Sequence, residues 1–212
     1  MDQEPYKTIL GAGTGELAVK KSRFIGRATP ATSADEAMAF VSEIKKRHWD
    51  AAHNAWAYVL RGGQMRCSDD GEPQGTAGMP ALDVLRKEGL ADCAVVITRY
   101  FGGALLGAAG LARAYAGACK AAIGAAGAVK MAPAKTLRVV CDYGFYARLQ
   151  TLAHLFGGLV LDTGFGERVV LEVRLETGQA ALFCGKLIDA SNGTVRAEVI
   201  EEGFAAISSS TV

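Results

Sequence analysis

Apolar residues recur at helical spacing where Ala37, Phe40, Val41 and Ile44 follow Ser33-Ala34-Asp35-Glu36, a capping box that marks a helix start. A second helix is expected near Thr76–Lys87, and a third over Leu106–Ile123, built largely from alanine and glycine. Strand patterns fall near Tyr6–Leu10, Glu16–Ala28, Asn54–Leu60 and Ala94–Thr98, with Arg61-Gly62-Gly63-Gln64 as a turn and Cys67–Gln74 as a polar loop. The second half reads more simply. A strand at Thr136–Cys141 precedes helical spacing over Phe145–Phe156. Two strands at Leu159–Thr163 and Arg168–Glu176 are joined through Gly164 and Gly166. Gln179–Ala190 then forms a helix with Leu182, Phe183, Leu187 and Ile188 on one side, and Asn192-Gly193 turns the chain into Val195–Ile200. The order β-α-β-β-α-β is that of a ferredoxin-like domain, and the fold class is α+β.

Between the two patterns, Gly124-Ala125-Ala126-Gly127-Ala128 and Pro133 read as a short linker, which divides the chain into residues 1–132 and 133–212. Charge sharpens this division. The net +1 of the 212 residues separates into sixteen Lys and Arg against thirteen Asp and Glu in the first part, and seven against nine in the second. A nearly balanced total argues against a wholly basic coat protein or an acidic tail, yet leaves a mildly positive first domain. Residues 1–10 carry Asp2 and Glu4 and no long apolar run, so no signal peptide is expected, and the Ala/Gly-rich stretch 101–129 is broken by Arg113 and Lys120, which argues against a membrane span. Five scattered cysteines without a C-x-x-C pair suit free thiols in a reducing cytosol, so a cytoplasmic location is expected.

Two strand–loop–helix junctions concentrate the chemistry. Residues 67–78 (CSDDGEPQGTAG) hold Asp69, Asp70 and Glu72 among three glycines and a proline; residues 98–103 (TRYFGG) put Arg99 and Tyr100 at a strand end before paired glycines. Helix N-termini offer unpaired N–H groups, and Arg66, Arg99 and Arg113 offer planar donor forks, so both junctions suit an anion. In the plainer alternative, the three carboxylates cap helices and pair with Arg66 or Arg99, fixing the loop. Dense polar loops on rigid elements favour a ligand or partner surface.

The segments H-N-A-W-A-Y at 53–58, S-D-D-G-E-P-Q-G-T-A-G at 68–78, T-R-Y-F-G-G at 98–103 and L-G-A-A-G-L-A-R-A-Y at 106–115 closely resemble the YigZ/IMPACT family, and K-K-S-R-F-I at 20–25 resembles its amino-terminal strand. The resemblance implies an N-terminal IMPACT domain with the fold of ribosomal protein S-five domain two, similar to domain four of elongation factor G. It implies a C-terminal ferredoxin-like domain similar to that factor's domain five. Eukaryotic relatives regulate translation by competing for an activator of the amino-acid-starvation kinase. For the bacterial branch, nucleic-acid or ribosome binding is inferred from the fold. His53, Asn54, Asp69, Asp70, Glu72, Thr76 and Arg99 keep the family pattern, whereas Ala55, Gln74, Met79 and Ala109 depart from it.

The expected surface therefore comprises His53, Asn54, Arg66, Asp69, Asp70, Glu72, Thr76, Arg99, Tyr100 and Arg113, with nucleic-acid contacts from Lys20, Lys21 and Arg23. A second basic cluster, Lys45–His48, suits a helix C-terminus. Tyr100 has a stacking geometry to offer to bases, while Phe101 is assigned to the core. His48, His53 and His154 have no metal-ligand spacing, Gly11–Glu16 fails as a dinucleotide fingerprint, and neither a Walker sequence nor a nucleophile elbow occurs. No metal, cofactor or catalytic residue is assigned. The leading expectation is a non-enzymatic binding protein of the translation apparatus that contacts RNA, the ribosome or a regulatory protein. The alternative is an enzyme acting on a phosphorylated small molecule or peptide through Asp69, Asp70 and Glu72.

Overall fold

Alternation of side chains along β-strands decides the layering of the first half of the chain. A computed structural model describes residues 4–207. They form two units: residues 6–128, and residues 129–207 with 4–5.

The first unit runs β1 Tyr6–Ile9, β2 Gly13–Val19, β3 Ser22–Pro30, α1 Ala34–Arg47, β4 His53–Val59, β5 Met65–Ser68, α2 Gly78–Lys87, β6 Cys93–Tyr100 and α3 Gly107–Ala126. Its main sheet has the order β2-β3-β6-β4-β5, with every neighbouring pair antiparallel. On one face Phe24, Ala28, Ala55, Ala57, Val95 and Ile97 pack against α2 and α3. On the other, Trp56, Tyr58, Ala94 and Val96 pack against Ala37, Val41 and Ile44 of α1. The capping box forms around Ser33, whose Oγ accepts the Glu36 N–H at 3.2 Å. The Glu36 carboxylate in turn accepts the N–H of Thr32 at 2.7 Å, instead of that of Ser33. Small residues in α3 let it lie directly on β2 and β3, so that a Cβ at Gly26 would collide with the Ala118 carbonyl.

Three sequence expectations change here. The expected single strand Glu16–Ala28 is a hairpin, reversed at Lys20-Lys21 with both residues in the left-handed region (φ 46° and 67°). This geometry normally selects Asn or Gly, so a Lys-Lys turn carries no compositional signal. The expected polar loop begins with a short edge strand, Met65–Ser68, paired to Trp56–Val59. Phe101 is 52% exposed and not part of the core.

The second unit runs β7 Ala128–Cys141, α4 Tyr143–Leu155, β8 Leu159–Phe165, β9 Val169–Glu176, α5 Thr177–Ala190 and β10 Ala197–Ile207. Its antiparallel order β10-β7-β9-β8 is the ferredoxin-like arrangement. Leu137, Val139, Leu171 and Val173 meet Leu149 and Ala153 of α4 and Phe183 and Leu187 of α5 in the core. Leu182 and Ile188 were expected on that same side of α5 but face solvent. The buried stripe of α5 is Ala180, Phe183 and Leu187, a helical i, i+3, i+7 set that leaves 182 and 188 outside its arc. No helix among the described residues is long and apolar enough to cross a membrane.

Candidate functional site

Register across the sheet assembles the site. His53 lies opposite Arg99, and Phe24 lies opposite Arg99 on its other side, so the three form one row facing α2 and α3. Asn54 pairs with Thr98 in the next row, whose side chains face α1, and Tyr100 follows on that same face opposite Arg23. The neighbours Arg99 and Tyr100 therefore serve opposite faces of the sheet.

On the α2/α3 face a buried ion pair forms. Arg99, only 5% exposed, donates from Nη1 to Glu72 Oε1 at 2.6 Å, and the hydroxyl of Tyr115 donates to the same oxygen at 2.8 Å. The Arg99 guanidinium lies 5.4 Å from the ring centres of both Phe24 and Phe101. Its Nε is buried with no hydrogen-bond partner. Burial, followed by the charge of Glu72 and its hydrogen bond, pushes the Tyr115 hydroxyl far above its usual pKa, so it remains a donor. His53 approaches Glu72 with Nε2 at 3.9 Å. Its other nitrogen, Nδ1, lies 2.8 Å from the Asp70 carbonyl, and because a carbonyl only accepts, Nδ1 carries the proton.

The polar loop is held by its own acids. Asp69 accepts the backbone N–H groups of Gly75, Ala77 and Gly78 at 2.8, 3.0 and 2.8 Å, so it caps the start of α2 from a distance. Burial alone would raise its carboxyl pKa; the three N–H donors outweigh burial and hold it below the usual carboxylate value. Asp70 adopts φ 48°, pairs with Lys45 of α1, and accepts the Asn54 N–H at 2.7 Å. Asn54 also donates to the His48 carbonyl at 3.2 Å and accepts from Thr98 Oγ1 at 2.8 Å, tying α1, the loop and β6 together. Thr76 is buried and donates its hydroxyl to the Pro73 carbonyl at 2.7 Å.

His53, Asn54, Asp69, Asp70, Glu72, Thr76 and Arg99 thus converge on one end of the sheet. The remaining expected residues do not join this cluster. Arg66 is exposed on edge strand β5, opposite Tyr58 and therefore on the α1 face. Arg113 is exposed on α3, where the buried stripe passes through Leu111, Ala114, Tyr115 and Ala118. Tyr100 donates to Asp50 Oδ1 at 3.2 Å, which leaves its oxygen to accept from His48 Nδ1 at 2.8 Å. Burial, then Arg27 and Arg47, depress the pKa of His48. Lys20 and Lys21 occupy the exposed hairpin tip, and the 101–103 loop packs on the Lys21 backbone so closely that a Cβ at Gly102 would collide with it. Arg23 projects beside this loop, 5.9 Å from the Tyr100 ring, and pairs with Glu16 at 2.8 Å.

Sequence reasoning missed Lys45 and Tyr115. For Lys45 there was no signal, since a lysine in the last turn of a helix suits the macrodipole equally well. For Tyr115 the signal was a hydroxyl-bearing ring on the apolar stripe of a buried helix, where the oxygen needs a partner. Among the described residues, no group of three or more His, Cys, Asp or Glu stands close enough together to hold a metal ion.

An α+β unit with α1 on one face of an antiparallel sheet, α2 and α3 on the other, and an acid-rich loop knotted to a buried arginine, followed by a ferredoxin-like unit, is the class of architecture defined here. The sequence matches the Impact N-terminal domain over residues 20–123 and a domain of unknown function over residues 139–194. It is 35% identical to the IMPACT family member YvyE of Bacillus subtilis over 190 residues, covering 89% of this chain and 88% of that one. It is 34% identical to the IMPACT family member YigZ of Escherichia coli, covering 87% and 92% respectively. A crystal structure described as that of a hypothetical protein aligns with a TM-score of 0.59 at 32% identity, covering 94% of this chain and 99% of that one. The chain belongs to the IMPACT family.

Proposed function

We propose that this protein is a non-enzymatic binding protein of the translation apparatus, and that the loop end of its first unit contacts the phosphates and bases of single-stranded RNA. One observation carries the reading. Asp69, Asp70 and Glu72 are all engaged by internal donors, while Lys20 and Lys21 stand exposed beside Arg23 and the half-exposed ring of Phe101. Carboxylates tied up in this way scaffold the loop, and the same ties weaken the alternative in which they act as acid, base or Mg²⁺ ligands. The exposed lysines supply salt-dependent phosphate contacts, and Phe101 supplies a stacking face.

The test is fluorescence anisotropy of a labelled single-stranded RNA 20-mer between 50 and 300 mM salt, with ribosome co-sedimentation at low salt. The expected result is association with ribosomes and an RNA affinity that falls with a log–log slope near −2, about 0.7 for each of three phosphates. Phe101→Ala is expected to weaken RNA binding about tenfold, within the range of one stacked base. Absence of both salt-dependent RNA binding and ribosome association would overturn the proposal.

A further inference from the structure

On the α1 face the first unit carries an apolar groove. Met38, Val41, Ser42, Lys45 and Lys46 of α1, Trp49 just beyond it and Trp56 of β4 line a trough of about 490 Å³ that is open to solvent. Trp49 is 83% exposed and Met38 is 40% exposed, while Trp56 forms the floor with its ring stacked on Tyr58 at 5.9 Å. Helical spacing explains the stripe along α1, where residues 38, 42 and 45 succeed one another at four and three, and Trp49 extends it in the turn after the helix. A tryptophan left almost wholly in water is costly for a chain that can bury its other tryptophan. Large rings and flexible thioethers are the residue types that anchor protein–protein contacts.

The charged residues that line the groove have one sign. Two lysines and no carboxylate line it, and Arg66 is exposed on the same sheet face, opposite Tyr58. The nearby Asp50 already accepts the Tyr100 hydroxyl, and Asp70 already holds Lys45. A one-sided trough of this kind leaves a small molecule largely in water, whereas a chain segment can lay successive apolar side chains along it.

We infer that this groove docks an acidic, amphipathic segment of a partner protein, with an aromatic or aliphatic side chain seated between Trp49, Met38 and Trp56 and carboxylates against Lys46, Lys45 and Arg66. A partner carboxylate at Lys45 competes with Asp70 for the same ammonium, which connects the groove to the 67–78 loop. None of the residues lining the groove is among those proposed to contact RNA, so Trp49→Ala and Phe101→Ala test the two proposals separately.

The experiment is selection of phage-displayed random 12-residue peptides on the full chain. Enriched peptides are then synthesised and titrated at 150 mM salt, with tryptophan fluorescence as the readout. Trp49 is solvent-exposed, so its removal leaves the fold intact. The expected peptides combine Asp and Glu with Trp, Phe or Leu. They shift the tryptophan emission, bind at least tenfold more weakly to Trp49→Ala, and bind several-fold more weakly to Lys46→Glu. Three results would overturn the inference: enrichment of basic or uncharged peptides, affinity unchanged by Trp49→Ala, or displacement of the peptide by the single-stranded RNA probe.

Discussion

Replacing Lys20-Lys21 with Asn-Gly pulls stability and binding in opposite directions, which separates a functional hairpin tip from a structural one. Both lysines sit at positive φ, 46° and 67°, in a two-residue turn that closes the pair Val19–Ser22. A left-handed conformation costs an ordinary L-residue about 1–2 kcal/mol, and Asn and Gly at these two positions relieve most of it. The added freedom of glycine in the unfolded chain returns about 0.5–1 kcal/mol. With two such residues relieved, the expected net gain is about 1–3 kcal/mol, or several degrees in Tm for a unit of this size, read by calorimetry or urea denaturation. The same change removes two phosphate contacts from the proposed RNA surface. The salt slope should flatten by about 1.4, which at 0.15 M salt amounts to roughly a tenfold loss of affinity. Retained RNA affinity in the stabilised variant would place the tip outside the interface. A loss of stability would refute the turn-strain argument itself.

The remaining predictions concern the scaffold. Arg99→Met leaves the Glu72 carboxylate buried beside Tyr115 with its cation gone, and should cost about 3–5 kcal/mol by urea denaturation; adding Glu72→Gln should recover at least 1 kcal/mol of it, and strict additivity of the two changes would show that they are not coupled. The Asp69 carboxyl is depressed in the fold, so the stability difference between wild type and Asp69→Asn should hold steady above about pH 5 and shrink as the pH falls through the ordinary carboxylate range towards the folded value. His48 resists protonation in the fold, so the folded state binds fewer protons than the unfolded chain, and stability should fall as the pH drops below about 6.5; His48→Gln should remove that part of the pH profile. Gly26→Ala drives a methyl group into the Ala118 carbonyl, and should lower Tm by several degrees or prevent folding, whereas Gly124→Ala, which meets open space in the same helix–sheet unit, should not.

Much of this architecture could be read from local signals. The capping box at Ser33–Glu36 and the spacing of Ala37, Val41 and Ile44 specify α1, and the alternation Val169, Leu171, Val173, Leu175 specifies a half-buried strand, because helix and strand periods are properties of neighbouring residues. The order β-α-β-β-α-β of the second unit is equally local, and the chain's motifs marked the 67–78 and 98–103 junctions as special. The hairpin at Lys20-Lys21 was hidden because its turn uses residues that do not announce a turn. The edge strand Met65–Ser68 was hidden because four residues are too few to show a period.

The partners of the site residues belong to another level. Arg99 finds Glu72 across 27 positions of sequence, and Tyr115 finds it across 43. Whether a given acid caps α2, holds Lys45 or neutralises a buried guanidinium depends on strand register and on which face each residue takes, and a shift of one residue in β6 would exchange Arg99 with Tyr100. The sequence by itself determined most of the elements, the family and the residues rich in chemistry. Only the tertiary structure decided that the carboxylates face inward, that Phe101, Lys20 and Lys21 face outward, and that Trp49 stands over an open groove. Burial and pairing are set by contacts between distant segments, and no local period encodes them.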